Sequence, residues 1–213
     1  MAKFVGTRQR EVVVDLYAGV GYYTLPFLVY AGALNVHCCE WNPNSVTALM
    51  ENLSKAGVQS FRYDSLESAR QGQLEHAHDE GGRRCFVYEG NNSIFASRGS
   101  VLTQIADRVC LGLLPSSVGG WPLAVNALKR CGGILHVHEN VREDNIAEWV
   151  KNCCQTFRGL FEEYYANNME SMGTVSVECS HIERVKSFAP RVIHIVADLT
   201  VTWQSSAPRD IIS

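Results

Sequence analysis

Short apolar runs alternate along this chain with stretches whose apolar positions recur every three or four residues, the signature of strands alternating with helices. Val12-Val13-Val14 has no polar face, so it predicts a buried parallel strand rather than a half-solvated one. It ends in Asp15 and a turn carrying Gly19 and Gly21. A helix is expected from about Tyr22 to Tyr30, with Pro26 in its first turn and Gly32 as its stop. A second buried strand runs from Asn35 to Trp41. Asn42-Pro43 then provides a cap and a first-turn proline, and Val46, Leu49, Met50 and Leu53 form one apolar face ended by Gly57.

Residues 59–84 break the rhythm. They are rich in Glu, Gln, Arg, Ser and Gly, and are expected to be a mobile surface insertion. His76, His78 and Asp79 within it sit on no rigid element, so no metal is expected there. Order resumes with a strand from Cys85 to Glu89, ending in Gly90-Asn91-Asn92-Ser93, and another from Ala106 to Leu114 running into Pro115-Ser116-Ser117. A helix is expected over Trp121 to Arg130, and Gly132-Gly133 leads into a strand from Ile134 to Glu139. Ile146, Trp149, Val150, Cys153, Cys154 and Phe157 mark a long amphipathic helix. Thr174 to Val185 and Val192 to Thr202 are two strands joined closely enough to be antiparallel neighbours. From Trp203 the chain is expected to trail off as a disordered tail.

Strands alternating with helices and closed by a hairpin predict one α/β domain over residues 1–213. The expected architecture is a seven-stranded mixed sheet of the class I S-adenosylmethionine-dependent methyltransferase-like Rossmann fold. Composition changes this picture little. Of 213 residues, 46% are hydrophobic, ample for a large core, and the net charge of −3 gives no overall basic surface for nucleic acid. The eight cysteines form no C-x-x-C pair and read as reduced, buried thiols, which with the absence of an apolar leader or a bilayer-length run makes the cytoplasm the expected location.

The chemistry concentrates at the first two strand ends. In a doubly wound sheet these share one crevice, so an acid at Glu40 would meet a ribose lying over Gly19 and Gly21. The third glycine of the dinucleotide fingerprint is missing, with Thr24 in its place, and no Gly-Lys-Ser/Thr follows. S-adenosylmethionine, with one ribose and no phosphate, therefore suits the pattern better than NAD. The competing reading leaves the glycines as a simple turn and Glu40 as a helix cap. Ser116 and Ser117 could bind a base or cap the following helix. Tyr22 and Tyr23 could stack on a base or pack in the core. Arg184, Lys186 and Arg191 could meet phosphate or only water.

The segments from Asp15 to Pro26, Cys39 to Pro43, Asp107 to Ser117 and Val185 to Pro190 resemble the wybutosine-synthesising protein 2 family. The resemblance implies a tRNA aminocarboxypropyltransferase. Such enzymes move the 3-amino-3-carboxypropyl group of S-adenosylmethionine to a tricyclic guanosine derivative beside the anticodon of phenylalanine tRNA, releasing methylthioadenosine. By position it implies Glu40 as ribose ligand, Asn91 and Asn92 (Asp-Asn in the family) at the adenine, and Asp15, Gly19 and Gly21 as the cofactor turn. Pro115, Ser116, Ser117 and Lys186 fall on the substrate side. No general base and no metal are implied. The related guanine N1-methyltransferases carry Asn-Leu-Pro where this chain has Leu113-Leu114-Pro115, which favours aminocarboxypropyl over methyl transfer. The family's amino-terminal tRNA-binding region has no counterpart in the sequence, so a truncated, non-catalytic remnant is the further alternative.

Overall fold

Three consecutive valines leave the chain no face to turn to water, and in the computed structural model they lie at the centre of an eight-stranded sheet as β1 (Val12–Asp15). The structure describes residues 10–76, 82–166 and 173–204. After β1 come α1 (Thr24–Val29), β2 (Asn35–Glu40) and α2 (Pro43–Lys55). Asn42 caps α2, its side-chain oxygen accepting from the Asn44 N–H at 3.0 Å, with Pro43 in the first turn. Then follow β3 (Gln59–Tyr63), α3 (Leu66–His76), β4 (Arg84–Glu89), α4 (Asn92–Ala96) and β5 (Arg108–Leu111). The chain continues through α5 (Trp121–Ala127), β6 (Gly133–Arg142) and α6 (Ile146–Ala166) to the hairpin β7 (Thr174–Ala189) and β8 (Val192–Gln204).

The strand order is β3-β4-β2-β1-β5-β6-β8-β7, parallel from β3 to β6, with β8 antiparallel to β6 and β7 antiparallel to β8. The winding reverses beside β1: one branch runs outward through β2, the other through β5. Ligand crevices of open α/β sheets lie at such a reversal, beyond the carboxyl ends of the strands. Two apolar layers seal the sheet. On one face α1 and α2 bring Phe27, Leu28, Val46 and Leu49 against Val13, Val36 and Cys38. On the other, Trp121 of α5 stacks on Phe157 of α6 at 4.6 Å above Val14, Leu111 and Val137.

Residues 59–84 depart from expectation. The described part, 59–76 and 82–84, is not a loose insertion: it supplies β3, α3 and the start of β4, and it makes the sheet eight-stranded rather than seven-stranded. β3 is an edge strand, so only its Phe61 and Tyr63 need be apolar; their rings lie 5.5 Å from Phe86 and 5.7 Å from Tyr88. α3 buries only Ala69 and Gly72, small residues that give no periodic signal, and Gly72 sits so tightly under the Tyr63 ring that a Cβ could not fit. His76 closes α3 against Phe61, whereas His78 and Asp79 lie outside the described residues. The strand expected over 106–114 is ordered as β5 only from 108 to 111. The helix expected to reach Arg130 ends at Ala127, where Leu128 turns extended. Trp203 and Gln204 complete β8 instead of opening a tail; residues 205–213 lie outside the described residues.

All eight cysteines are free, and Cys131, in the turn before β6, is exposed rather than buried. Among the described residues, no helix is long and apolar enough to cross a membrane.

Candidate cofactor site

At the reversal point the four central strand ends enclose a cavity of about 480 Å³, within the range of small-molecule sites. Its walls come from the turn after β1 (Leu16, Tyr17, Gly19), the end of β2 (Cys39, Glu40, Trp41), the turn after β4 (Gly90, Asn91, Asn92) and the end of β5 (Gly112, Leu113). Backbone bonds continue the sheet into these turns: Leu16 N–H donates to Cys110 O and Ala18 N–H to Cys39 O, both at 3.1 Å. Gly90 N–H donates to Glu40 O at 2.9 Å.

Glu40 is the hub. One carboxylate oxygen accepts from Gly19 N–H and the other from Asn42 N–H, each at 2.8 Å. A carboxylate oxygen has two lone pairs, so each keeps one for a further donor, and two adjacent hydroxyls of a ribose would use both. Glu40 is therefore not the cap of α2, a task that Asn42 performs. Gly19 holds φ +54°, a conformation that costs glycine nothing and that aims its N–H at Glu40.

The other residues expected at the cofactor divide. Gly21 (φ +99°) does not line the cavity; it lets the turn pass close to α2, where an added Cβ would come within 2.8 Å of Leu49 Cδ1. Asp15 also lies behind the wall, fully buried. It accepts from Thr24 Oγ1 at 2.9 Å and from Tyr17 N–H at 3.3 Å, bracing the turn from below. Burial pushes its carboxyl up to about 6, against the lowering effect of the Thr24 and Tyr17 bonds. Asn91 and Asn92 both line the cavity. The Asn91 side-chain oxygen caps α4 by accepting from Ser93 N–H at 2.9 Å, and Asn92 Nδ2 donates to Leu16 O at 3.2 Å. Trp41, 74% exposed, stands at the mouth with its indole face, a position that the sequence does not distinguish from the last residue of an apolar strand. Gly112 closes the floor against the Tyr23 ring.

On the substrate side the expectations are corrected in part. Ser117 is fully buried: it accepts from Trp121 Nε1 at 3.3 Å and donates to His138 O at 3.5 Å, so its hydroxyl is spent on packing. Neither serine caps α5, whose amino-terminal position is Gly120 with no side-chain cap bond. Ser116 donates to Glu139 Oε2 at 2.9 Å, and Pro115, which follows a cis peptide, is exposed at the rim. Lys186 is exposed on β7, two strands from β6. Arg184 pairs with Glu143 at 3.5 Å, and Arg191 occupies the hairpin turn at φ +61°. Tyr23 packs edge-on to His138 at 4.4 Å, whereas Tyr22 is exposed. No group of three or more potential metal ligands occurs among the described residues.

A sheet reversing beside its first strand, a glycine turn, an acid at the second strand end and a closing antiparallel hairpin together define a methyltransferase-like Rossmann domain. Residues 1–79 match the TRM5/TYW2 methyltransferase domain. The match covers that part of the chain. It is 40% identical over 191 residues to tRNA wybutosine-synthesizing protein 2/3/4 of Arabidopsis thaliana, covering 90% of this chain and 16% of that protein. It is 35% identical over 223 residues to the tRNA wybutosine-synthesizing protein 2 homolog of Danio rerio, covering 89% and 45%. The chain thus spans less than half the length of these relatives. Among solved structures, M. jannaschii TYW2 in complex with AdoMet superposes with a TM-score of 0.68 at 22% identity, over 94% of this chain and 72% of that one. P. horikoshii TYW2 in complex with MeSAdo gives 0.64 at 27% identity, over 93% and 59%.

Proposed function

We propose that this chain is the catalytic domain of an S-adenosylmethionine-dependent tRNA aminocarboxypropyltransferase of wybutosine biosynthesis. Its acceptor is a tricyclic wyosine-type guanosine beside the anticodon of phenylalanine tRNA. The observation that carries this reading is the carboxylate of Glu40, held by Gly19 and Asn42 with a free lone pair on each oxygen, in a cavity sized for one nucleoside. The wybutosine-synthesizing relatives support the same reading.

In the bound complex Glu40 would hold the ribose diol, Asn91 and Asn92 the adenine, and Gly19 the nucleoside's approach. Asp15 and Gly21 act from behind by shaping the turn. The sulfonium activates each carbon bonded to it, so the outcome depends on which carbon faces the acceptor. Attack on the aminocarboxypropyl carbon forms the new bond as the C–S bond breaks. The electron pair passes to sulfur, methylthioadenosine leaves, and the acceptor loses its proton to the surroundings. Positioning supplies most of the rate in such a transfer. Pro115 and Ser116 border the acceptor side, and Lys186 faces its phosphates. Eight free thiols fit a reducing cytoplasmic setting.

The test uses S-adenosylmethionine labelled in the methyl or in the carboxyl group, with hypomodified phenylalanine tRNA and the amino-terminal region of a relative supplied in trans. Carboxyl label entering RNA while methyl label leaves as methylthioadenosine is expected. Methyl label in RNA would make the chain a methyltransferase, and no transfer despite cofactor binding would make it a remnant.

A further inference from the structure

Beyond β5 the sheet carries a row of polar side chains that the cofactor cavity does not use. β6 presents His136, His138 and Asn140 in alternation on the face that also bears Cys110 and Tyr23, and the antiparallel register sets Asn140 opposite His194 on β8 and His194 opposite Lys186 on β7. His138 Nδ1 and His194 Nε2 share a hydrogen bond of 3.1 Å. Four polar atoms of the row are orphaned: both amide atoms of Asn140, His194 Nδ1 and His136 Nε2 are shielded from solvent with no partner among the described residues. The row also adjoins the site. Asn140 N–H donates to Pro115 O at 3.1 Å, three residues beyond the Gly112 that floors the cavity, and His138 touches the Tyr23 ring that packs on Gly112.

A buried amide or imidazole group left without a partner is costly, so the three atoms of Asn140 and His194 side by side are unfavourable in the free protein. We infer that Asn140 and His194 form the seat of the acceptor heterocycle, with Lys186 engaging the phosphate of the same nucleotide. An amide offers one acceptor and two donors, and an imidazole nitrogen offers either role according to tautomer. Together they match a fused purine-type base that carries a carbonyl and a ring N–H along its edge. The acidic neighbour of the row, Asp198, is paired with His136 Nδ1 at 2.7 Å, four residues along β6 from Asn140. Burial beside His194 and His136 depresses His138 to about 3, and burial beside Lys186 lowers His194, so both rings are neutral at pH 7 and leave Lys186 as the cation facing the nucleotide. Cys110 Sγ lies 3.8 Å from His138 Nε2, and burial raises that thiol, so it too is neutral. The inference rests on the transferase reading and adds the residues that select its acceptor.

Asn140→Leu removes the orphan amide at nearly constant volume, and Asn140→Asp keeps its shape but loses the donors. Both are compared with wild type for S-adenosylmethionine affinity, thermal midpoint and KM for acceptor tRNA. In parallel, the Asn140 side-chain amide resonance, identified by its loss in Asn140→Leu, is followed as guanosine monophosphate is added to the methylthioadenosine complex. Cofactor affinity within twofold of wild type, an undiminished midpoint in Asn140→Leu, a KM raised tenfold or more and a nucleotide-dependent shift of the resonance are expected. A lowered midpoint in Asn140→Leu with unchanged KM would show the amide satisfied by an internal water and overturn the assignment. So would a resonance indifferent to nucleotide. The resonance readout needs no turnover: wild type that transfers nothing, yet shifts this resonance with nucleotide, would defeat the transferase reading and leave the seat standing.

Discussion

At the scale of single residues, Glu40 has two tasks, neither of them the helix cap that the sequence left open as the alternative to a ribose ligand. It anchors the local backbone through Gly19 and Asn42, and it keeps a lone pair on each oxygen for a ligand. Glu40→Gln replaces one acceptor oxygen by a donor that clashes with a backbone N–H, so both tasks suffer. S-adenosylmethionine binding measured by calorimetry should weaken by about 1.5–3 kcal/mol, the range for hydrogen bonds to charged groups. Unchanged affinity in a folded variant would take Glu40 out of the site. The acid was legible because it ends an apolar strand in the right βαβ unit. Ser117 was not, because a serine after a strand looks the same whether its hydroxyl meets a ligand or, as here, the Trp121 indole. Asn140 is illegible in the sequence for a related reason. Only the register of β6 with β8, a contact across 54 residues of sequence (140 to 194), shows it opposite His194.

At the scale of elements, strands and helices with continuous apolar faces were legible, and the β3–α3 unit was not. An edge strand needs few apolar residues, and α3 packs through alanine and glycine, whose small side chains leave no hydrophobic rhythm. The unit nevertheless covers β4. Tyr63 lies over Tyr88, and Arg62 pairs with Glu89 at the strand end that leads into the Asn91 turn. Replacing residues 59–76 by a short Gly-Ser link should therefore be damaging rather than silent. Loss of one large buried aromatic alone costs about 3–5 kcal/mol. At about 2–4 °C per kcal/mol for a protein of this size, the thermal midpoint should fall by at least roughly 6–20 °C. A midpoint within a few degrees of wild type would return the segment to the status of an insertion.

At the scale of the whole molecule, buried titratable groups set how stability responds to acid. Burial holds His37 and His138 near pH 3, below the 6.5 of an unfolded chain. Over that window the unfolded state binds more protons, so each histidine makes stability rise with pH. Asp15 works the other way. Its folded value of about 6 exceeds 3.8, so between those values the folded state binds the extra proton and stability falls as pH rises. Two histidines outweigh one aspartate, and the thermal midpoint should drop on acidification from pH 6.5 toward 4. Asp15→Asn removes the opposing group, so its midpoint should fall more steeply over the same range. Parallel curves for the two proteins would show that Asp15 is not protonated in this window.

The hairpin that closes the sheet leaves β7 as an outer strand of 16 residues whose far side pairs with no strand among the described residues. A free edge of that length invites another chain to add to it, the first step toward fibrous aggregates. Three irregularities in register, between Cys179 and His181, Arg184 and Lys186, and Ser187 and Ala189, interrupt its hydrogen-bonding repeat and increase the local twist. Glu178, Glu183, Arg184 and Lys186 place charge along the same border. The bulges that make the hairpin uneven thus deny an incoming strand a straight ladder along the strand that bears Lys186.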